Sequence, residues 1–572
     1  MKWEKVSQGY RLFGAAYDAL LTNGDWPVLK LAFDGMPMAE LPLCSTVDQL
    51  NAKEQLSDPR FTLDEQGVLH VICTSSLWSS RSFDWYFEEQ GIRMAQRAEG
   101  QGSLGRCCYV GTGVSAPFGK GDSQGVETNA RLLTEAYFSP AVNLANSQTY
   151  DTSEPCSIGL SKGAFMAEDT FAPRWANDLF VPPLCYVFHT GEAAMSVGLC
   201  ARPGDYRFCS FNYSGMLYCG ASFYVDYLGY TRLEDIGELP QLVIRFGYGP
   251  WSAMESYVKA VDALGGGTEF THPTAKWHRE PIFCGWSAQT AAASAAGERA
   301  HTYCTQENYE AWMAELDKRG IPYGTVVIDD KWQAGYGSCE VDTDKWPDLK
   351  GFVNRCHEKG HHVLLWLPVL HVDGLPAEEC ILDSKGTPLM ANLAHPGYAE
   401  RFRSAIAHLV GAIGVDGFKE DWINVSVNEP GLSGYGQWHG LELLAAFQRL
   451  LYDTVHSIKP DALIETQTPN PIFRCCSDML RLNDLWYATR NVPNVMRQRA
   501  RIARIAGWRL FDCDDGAASG LAEWAAYAQY QPQLGVPALY FVYETEATHE
   551  RPTDEQWRML ADCWHAYRRS HV

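Results

Sequence analysis

No stretch of this chain approaches the roughly 20 consecutive apolar residues that a membrane span needs. Its N-terminus, MKWEKVSQGYRLFGAAYDALL, has no apolar core leading to a small-residue cleavage site. The expectation is a cytoplasmic protein with no membrane partner. Basic residues are also scarce: 47 Lys plus Arg stand against 69 Asp plus Glu, a formal charge of -22. Such an acidic surface repels phosphate backbones and anionic lipid, so a nucleic-acid partner is not expected and neutral ligands fit better. No GxGxxG or Walker-type loop opens a helix, which leaves nucleotide-dependent chemistry unsupported. The 18 cysteines include no CxxC, and the adjacent pairs Cys107/Cys108 and Cys475/Cys476 are spaced for neither a zinc site nor a disulfide framework. They read as reduced, packed thiols.

What is present falls into two patterns. From residue 1 to about 265, short β-rich runs such as VLKLAFDG, VLHVICTSS, LCYVFHTG, ASFYVDYLGY and LPQLVIRFGYG are broken by Gly, Asn, Asp and Pro. That punctuation predicts an antiparallel β-sandwich over 1–265. A helical stretch, SAMESYVKAVDALGG, leads into GGGTEFTHPTAKWHREP, whose glycines and prolines mark a linker at 266–280. Beyond it, strands alternate with amphipathic helices. IFCGW, GTVVIDD, HVLLWLPV, DGFKED, ALIETQT, MLRLNDL, WRLFDCDD and PALYFVY read as eight strands, which predicts a (β/α)₈ TIM barrel over 281–572.

Acidic residues gather where these strands end. Asp329 and Asp330 close the second, Asp421 the fourth, Glu465 follows the fifth, Asp484 the sixth, and Asp512, Asp514 and Asp515 the seventh. Active sites of such barrels lie on the C-terminal rim, so the convergence predicts a site for a polyhydroxylated or cationic ligand, or for a metal. His357, His361, His362 and His371 crowd around the third strand without a matching His on the others, so no metal and no cofactor is expected.

Two facing carboxylates can cleave a glycosidic bond, one attacking the anomeric carbon and the other protonating the leaving oxygen. In GVDGFKEDW, Lys419 and Asp421 share a strand face because strand periodicity is two, and a neighbouring ammonium would hold Asp421 ionised as a nucleophile. The plainer alternative is a strand-end salt bridge. Asp484, three residues after Arg481, suits the acid/base, against the alternative of a strand-end Asn-Asp turn. Trp286, Trp332, Trp366 and Trp422 also sit at this rim, where flat apolar faces suit a sugar ring, although each alone could be core packing.

At these residues the chain resembles the retaining α-glycosidases of glycoside hydrolase families 27, 31 and 36. IFCGWS is similar to the first barrel strand of the α-galactosidases, IDDKW to their DDxW segment, and FKED to the KxD nucleophile motif. The resemblance implies Asp421 as nucleophile and Asp484 as acid/base. It also implies a sugar held by Asp329 and Asp330, with Trp332, Trp366, Trp422, Trp286, Lys419, Arg481 and Asp512 around it. In one relative the acid/base follows an Arg by four residues instead of three, which leaves Asp478 and Asp512 as substitutes for Asp484. An exo-acting α-galactosidase on a small α-linked substrate is the leading expectation, because two adjacent carboxylates could accept from O4 and O6 of a galactose together. An α-glucosidase, an α-xylosidase, a transglycosidase and a non-catalytic sugar-binding protein are the alternatives. No pattern specifies an oligomeric state.

Overall fold

A computed structural model describes residues 1–111, 130–138, 140, 158–159, 181–208, 211–215, 220–423, 430–436, 439–482, 484 and 490–572. Among these the N-terminal half forms antiparallel sheets of six, ten and five strands. Ser80–Glu88 and Gly91–Glu99 pair in the ten-stranded sheet, and their residues alternate between buried and half-buried, as a sheet with one covered face requires. Buried Arg81 and Glu54 form an ion pair inside this half. The helix Pro250–Ala263 begins with proline in its first turn, where a missing N–H costs nothing. It lays Trp251, Met254, Tyr257 and Val258 against Val187 and Val243 of the sheet.

The barrel strands are β1 (Ile282–Cys284), β2 (Thr325–Ile328), β3 (His362–Pro368), β4 (Gly417–Asp421), β5 (Leu463–Thr466), β6 (Met479–Arg481), β7 (Phe511–Asp512) and β8 (Ala538–Leu539). All pair in parallel, in the order β7-β6-β5-β4-β3-β2-β1-β8. A parallel bridge between Asp512 and Val536 brings the two open edges together. The strands are buried nearly throughout, as expected of a sheet closed on itself and wrapped in helices. Every strand expected from the sequence is present.

The helices depart from a strict alternation. Two helices, α1 (Trp286–Ala296) and α2 (Gln306–Lys318), separate β1 from β2; α3 (Leu349–Glu358), α4 (Pro396–His408) and α5 (Gly440–Ile458) follow β2, β3 and β4. No α-helix joins β5 to β6. Pro469 and Pro471 punctuate this connection, and only a 3₁₀ segment, Pro471–Cys476, forms, started by Asn470 accepting from the Ile472 N–H. The stretch after Ala263 covers the turn in place of a helix: Thr268 donates to Pro471 and Ile472 carbonyls, and Thr271 to that of Cys475. Helices α6 (Val492–Ile505), α7 (Leu521–Leu534) and α8 (Asp554–His571) complete the ring. Alternation in β4 decides the rest: Phe418 and Glu420 turn outward toward helices, while Lys419 and Asp421 face the barrel interior.

The cysteines among the described residues are free thiols, and all but Cys44 and Cys563 are buried. Among the described residues no helix is long and apolar enough to cross a membrane.

Candidate active site

Between the rim and the apolar interior formed by Ile282, Val327, Leu364 and Met479 lies a polar layer. Lys419 Nζ on β4 donates to Asp329 Oδ2 at 2.8 Å and lies 3.5 Å from Cys284 Sγ, while that thiol donates to Asp329 at 3.0 Å. Across the interior, Tyr540 donates to Asp512 at 3.2 Å and Arg481 Nε approaches Glu465 to 3.9 Å. Glu465 is fully buried, and burial, reinforced by Asp512, raises its carboxyl well above the ordinary value against the pull of Lys419 and Arg481.

Asp421 stands above this layer with both oxygens occupied. Oδ2 accepts from the Trp366 indole N–H at 2.9 Å; Oδ1 accepts from the Trp422 backbone N–H at 2.9 Å and from Arg481 Nη2 at 3.3 Å. The sequence pointed to Lys419 as the cation holding Asp421. The structure corrects this: Lys419 is committed to Asp329, and the cation touching Asp421 is Arg481. A shared strand face places two side chains in one interior without deciding which of them meet. Burial raises the Asp421 carboxyl above its ordinary value, opposed by Arg481, then Lys419, then Trp366, while the Asp484 charge pushes it further up.

Arg481 is almost wholly buried and hydrogen-bonds three carboxylates. Besides Asp421 on Nη2, its Nη1 donates to Asp484 at 2.6 Å and to Asp514 at 2.9 Å. Asp484 keeps 64% of its side chain open to solvent, whereas Asp421 keeps 14%. Although packing around Asp484 disfavours its charge, Arg481 and Lys419 outweigh that and hold it below the usual carboxylate value. The two substitutes are engaged elsewhere. Asp478 accepts from Tyr452, His456 and the Ile464 N–H on the helix side of β5, and Asp512 accepts from the Asp514 N–H and Tyr540 in the interior.

The Asp329/Asp330 pair divides. Asp329 is filled by Lys419, Cys284 and the Asp330 N–H and is 2% exposed. Asp330 accepts from the Tyr336 hydroxyl at 2.6 Å, and burial pushes it up to about 6, against the hydrogen bond from Tyr336. The tryptophans divide as well. Trp332 is fully buried and donates to the Trp366 carbonyl at 2.7 Å, a core position and not an open sugar platform. Trp366, 1% exposed, serves Asp421 through its indole N–H. Trp286 opens α1, half-buried beside the apolar interior of β1. Trp422 is 40% exposed, its backbone in the left-handed region at φ 45°, and its ring stands edge-on to Trp366 at 5.0 Å and to Tyr336 at 5.3 Å. A bulky residue there is a true backbone outlier of the kind that clusters at ligand sites.

Sequence reasoning did not single out Tyr336, which lies in a loop with no periodic signal, nor Cys284 and Tyr540, whose inward direction follows only from strand register. Asp514 was visible in the acidic run DCDD but not distinguishable from its neighbours. Among the described residues no group of three His, Cys, Asp or Glu side chains is arranged to hold a metal ion.

Comparison with known proteins adds to this geometry. Residues 291–434 match the profile of the glycosyl hydrolases family 31 TIM-barrel domain. No curated protein sequence matches the chain. Among solved structures, a family 31 sulfoquinovosidase from E. rectale, bound to an aza-sugar inhibitor, superposes with a TM-score of 0.55 at 12% identity, over 99% of this chain and 83% of that one. A family 36 α-galactosidase from Geobacillus stearothermophilus gives 0.52 at 11% identity, over 100% and 86%. A family 31 dextranase from Flavobacterium johnsoniae, complexed with glucose, gives 0.50 at 10%, over 99% and 68%. At such identities the likeness is one of fold. The profile match and that fold together make the chain a glycoside hydrolase resembling the retaining α-glycosidases of families 31, 36 and 27.

Proposed function

We propose that the chain is a retaining, exo-acting α-glycosidase in which Asp421 is the nucleophile and Asp484 the acid/base. One observation carries this reading: an interior carboxylate and a solvent-open carboxylate meet on one buried guanidinium, the first fixed by Trp366 and the second facing solvent at the rim. Double displacement needs that asymmetry. Asp421 must stay ionised and aimed at the anomeric carbon, which Arg481 and Trp366 favour; Asp484 must exchange protons with water between the two half-reactions. Trp422 offers the exposed ring for the apolar face of the sugar.

For the glycone, an α-galactoside is the first substrate to test, held by Asp330. Of the two adjacent carboxylates only Asp330 is left to accept from a sugar hydroxyl, since Asp329 is filled from within. The family 31 dextranase, a structure complexed with glucose, suggests a second reading, an α-glucoside. The rim gathers Asp330, Asp373, Asp421, Asp484 and Asp514 against Lys331 and Arg481, a balance that suits a neutral sugar better than one bearing a sulfonate. A panel of dinitrophenyl α-glycosides, with galactose, glucose, xylose and sulfoquinovose as glycones, tests all of this at once. Release from one sugar identifies the glycone. A fluorinated inhibitor of that sugar should then label a peptide containing Asp421, and Asp421→Asn should be folded and inactive. Labelling of another carboxylate, or full activity in the variant, sinks the assignment.

A further inference from the structure

Asp484 presents a difficulty that the catalytic reading leaves open. A general acid must carry a proton when the substrate binds, yet Asp484 is bonded to Arg481 Nη1, and a guanidinium partner favours the ionised form. Left between Asp421 and Asp484 alone, Arg481 would hold both as carboxylates. Asp514 changes that balance. It is brought to the same nitrogen, Nη1, at 2.9 Å, by a turn in which its own backbone is left-handed at φ 53° and its N–H bonds Asp512.

We infer that Asp514 is the positioning residue that lets Asp484 act as an acid: the two carboxyls share Arg481 Nη1 and hold one proton between them, and Asp514 takes over the guanidinium as Asp484 leaves it for the glycosidic oxygen. The proton count balances. Below about pH 6 the resting pair keeps its proton on Asp514, and Asp484 is the carboxylate on Arg481. When Asp484 turns to the leaving group the shared proton passes to it from Asp514, which remains as the carboxylate on Nη1. Arg481 keeps one anion on that nitrogen throughout, and Asp421 keeps Nη2. The directions of titration agree: burial, with Asp484 and Asp512, pushes Asp514 up to about 6 against Arg481, whereas Asp484 is held low. Such a pair titrates as a unit.

The groups facing Asp514 support its sensitivity to this exchange. Arg481 and Asp484 approach from β6 and the segment after it, Lys419 from β4, and Asp512 and Asp515 from its own strand end. Arg499 of α6, Tyr527 of α7, Tyr540 after β8 and Glu546 beyond it also lie within its field. No other residue shares its contact with Nη1 of Arg481 except Asp484 among the hydrogen bonds of the described residues.

This inference rests on the α-glycosidase reading, and leaving-group dependence separates the two. Asp514→Asn preserves volume and an acceptor for Arg481 but cannot ionise. With a phenyl glycoside of the preferred sugar, which needs the acid, kcat/KM at pH 7 should fall at least about tenfold and the basic limb should move down by about one pH unit, a unit of pKa being a factor of ten. With the dinitrophenyl glycoside, which needs no acid, kcat/KM should stay within about twofold of wild type. Asp514→Glu, which can still ionise, should recover part of the phenyl glycoside activity. Equal losses on both substrates, or an unmoved basic limb, overturn the inference while leaving the catalytic pair intact. A wild type that releases neither aglycone removes the parent reading and this one with it.

Discussion

Trp366→Phe isolates one hydrogen bond at the proposed nucleophile. The indole N–H reaches Asp421 Oδ2 at 2.9 Å, while the main-chain carbonyl that accepts from Trp332 is untouched by the substitution. Phenylalanine keeps a ring against Trp422 and removes only the donor and some volume. A hydrogen bond to a charged acceptor contributes about 1.5–3 kcal/mol net, and its loss raises the Asp421 carboxyl further. The sign follows from the direction of the effect. Trp366 favours the carboxylate, so its removal moves the acidic limb of kcat/KM toward neutral pH. The loss should be steep below that limb and shallow above it, where Arg481 and the Trp422 N–H still hold Oδ1. The assay is dinitrophenyl glycoside release across pH, with the melting temperature as a control for folding. An acidic limb that does not move, or a loss of equal size at every pH, refutes the role given to Trp366.

Asp330→Asn should lower kcat/KM by about 1–3 kcal/mol, the cost of one charged hydrogen bond to the sugar, while a chelator changes nothing; rescue of a chelated enzyme by a divalent ion would overturn the metal-free site. Asp416, below β4, accepts from His357, Lys459 and the Val363 N–H, and His357, His362 and Lys459 hold it below the ordinary carboxylate range despite burial. Its folded pKa is depressed, so its stabilisation is complete above about pH 4 and fades as pH falls; Asp416→Asn should cost about 3 kcal/mol or more at pH 7 in urea melts and flatten the acid dependence. Glu420 points the other way: burial pushes it up to about 8 despite the hydrogen bonds of Thr466 and Gln448. Stability should therefore decline as pH rises from about 4.3 toward 8, and Glu420→Gln should remove that slope; a slope unchanged in the variant contradicts a protonated Glu420.

The eight barrel strands were legible because each is a short apolar run bounded by turn residues, and because a closed parallel sheet needs little more than that pattern. The missing helix between β5 and β6 was legible in principle, since Pro469 and Pro471 interrupt the segment. What covers it, the stretch holding Thr268 and Thr271, was not, because the contact joins residues some two hundred positions apart. At the site, the sequence could place acidic residues on one rim, a consequence of strand ends alone. It could not divide Asp329 from Asp330. They are adjacent and chemically identical, and only the position of Lys419 makes one a buried partner and leaves the other to Tyr336.

The partner of Lys419 shows where such reading stops. Period two fixed correctly that Lys419 and Asp421 face one interior, and the nearest carboxylate in sequence became the natural partner. In a barrel, however, an inward side chain has neighbours across the axis as near as those along its own strand. Lys419 lies one residue pair deeper than Asp421 and extends across the barrel, where it meets Asp329 after β2. Arg481, from β6, is long enough to climb from the Glu465 level to the rim and serve Asp421. A lysine point charge in the interior and a forked guanidinium at the rim are not interchangeable: only the fork can join an interior carboxylate on one nitrogen to a solvent-open one on the other. Arg481→Lys should therefore keep the charge and still lose the coupling, separating Asp421 from Asp484 in their titration, whereas Lys419→Arg would overfill a site already closed by Cys284 and Asp329.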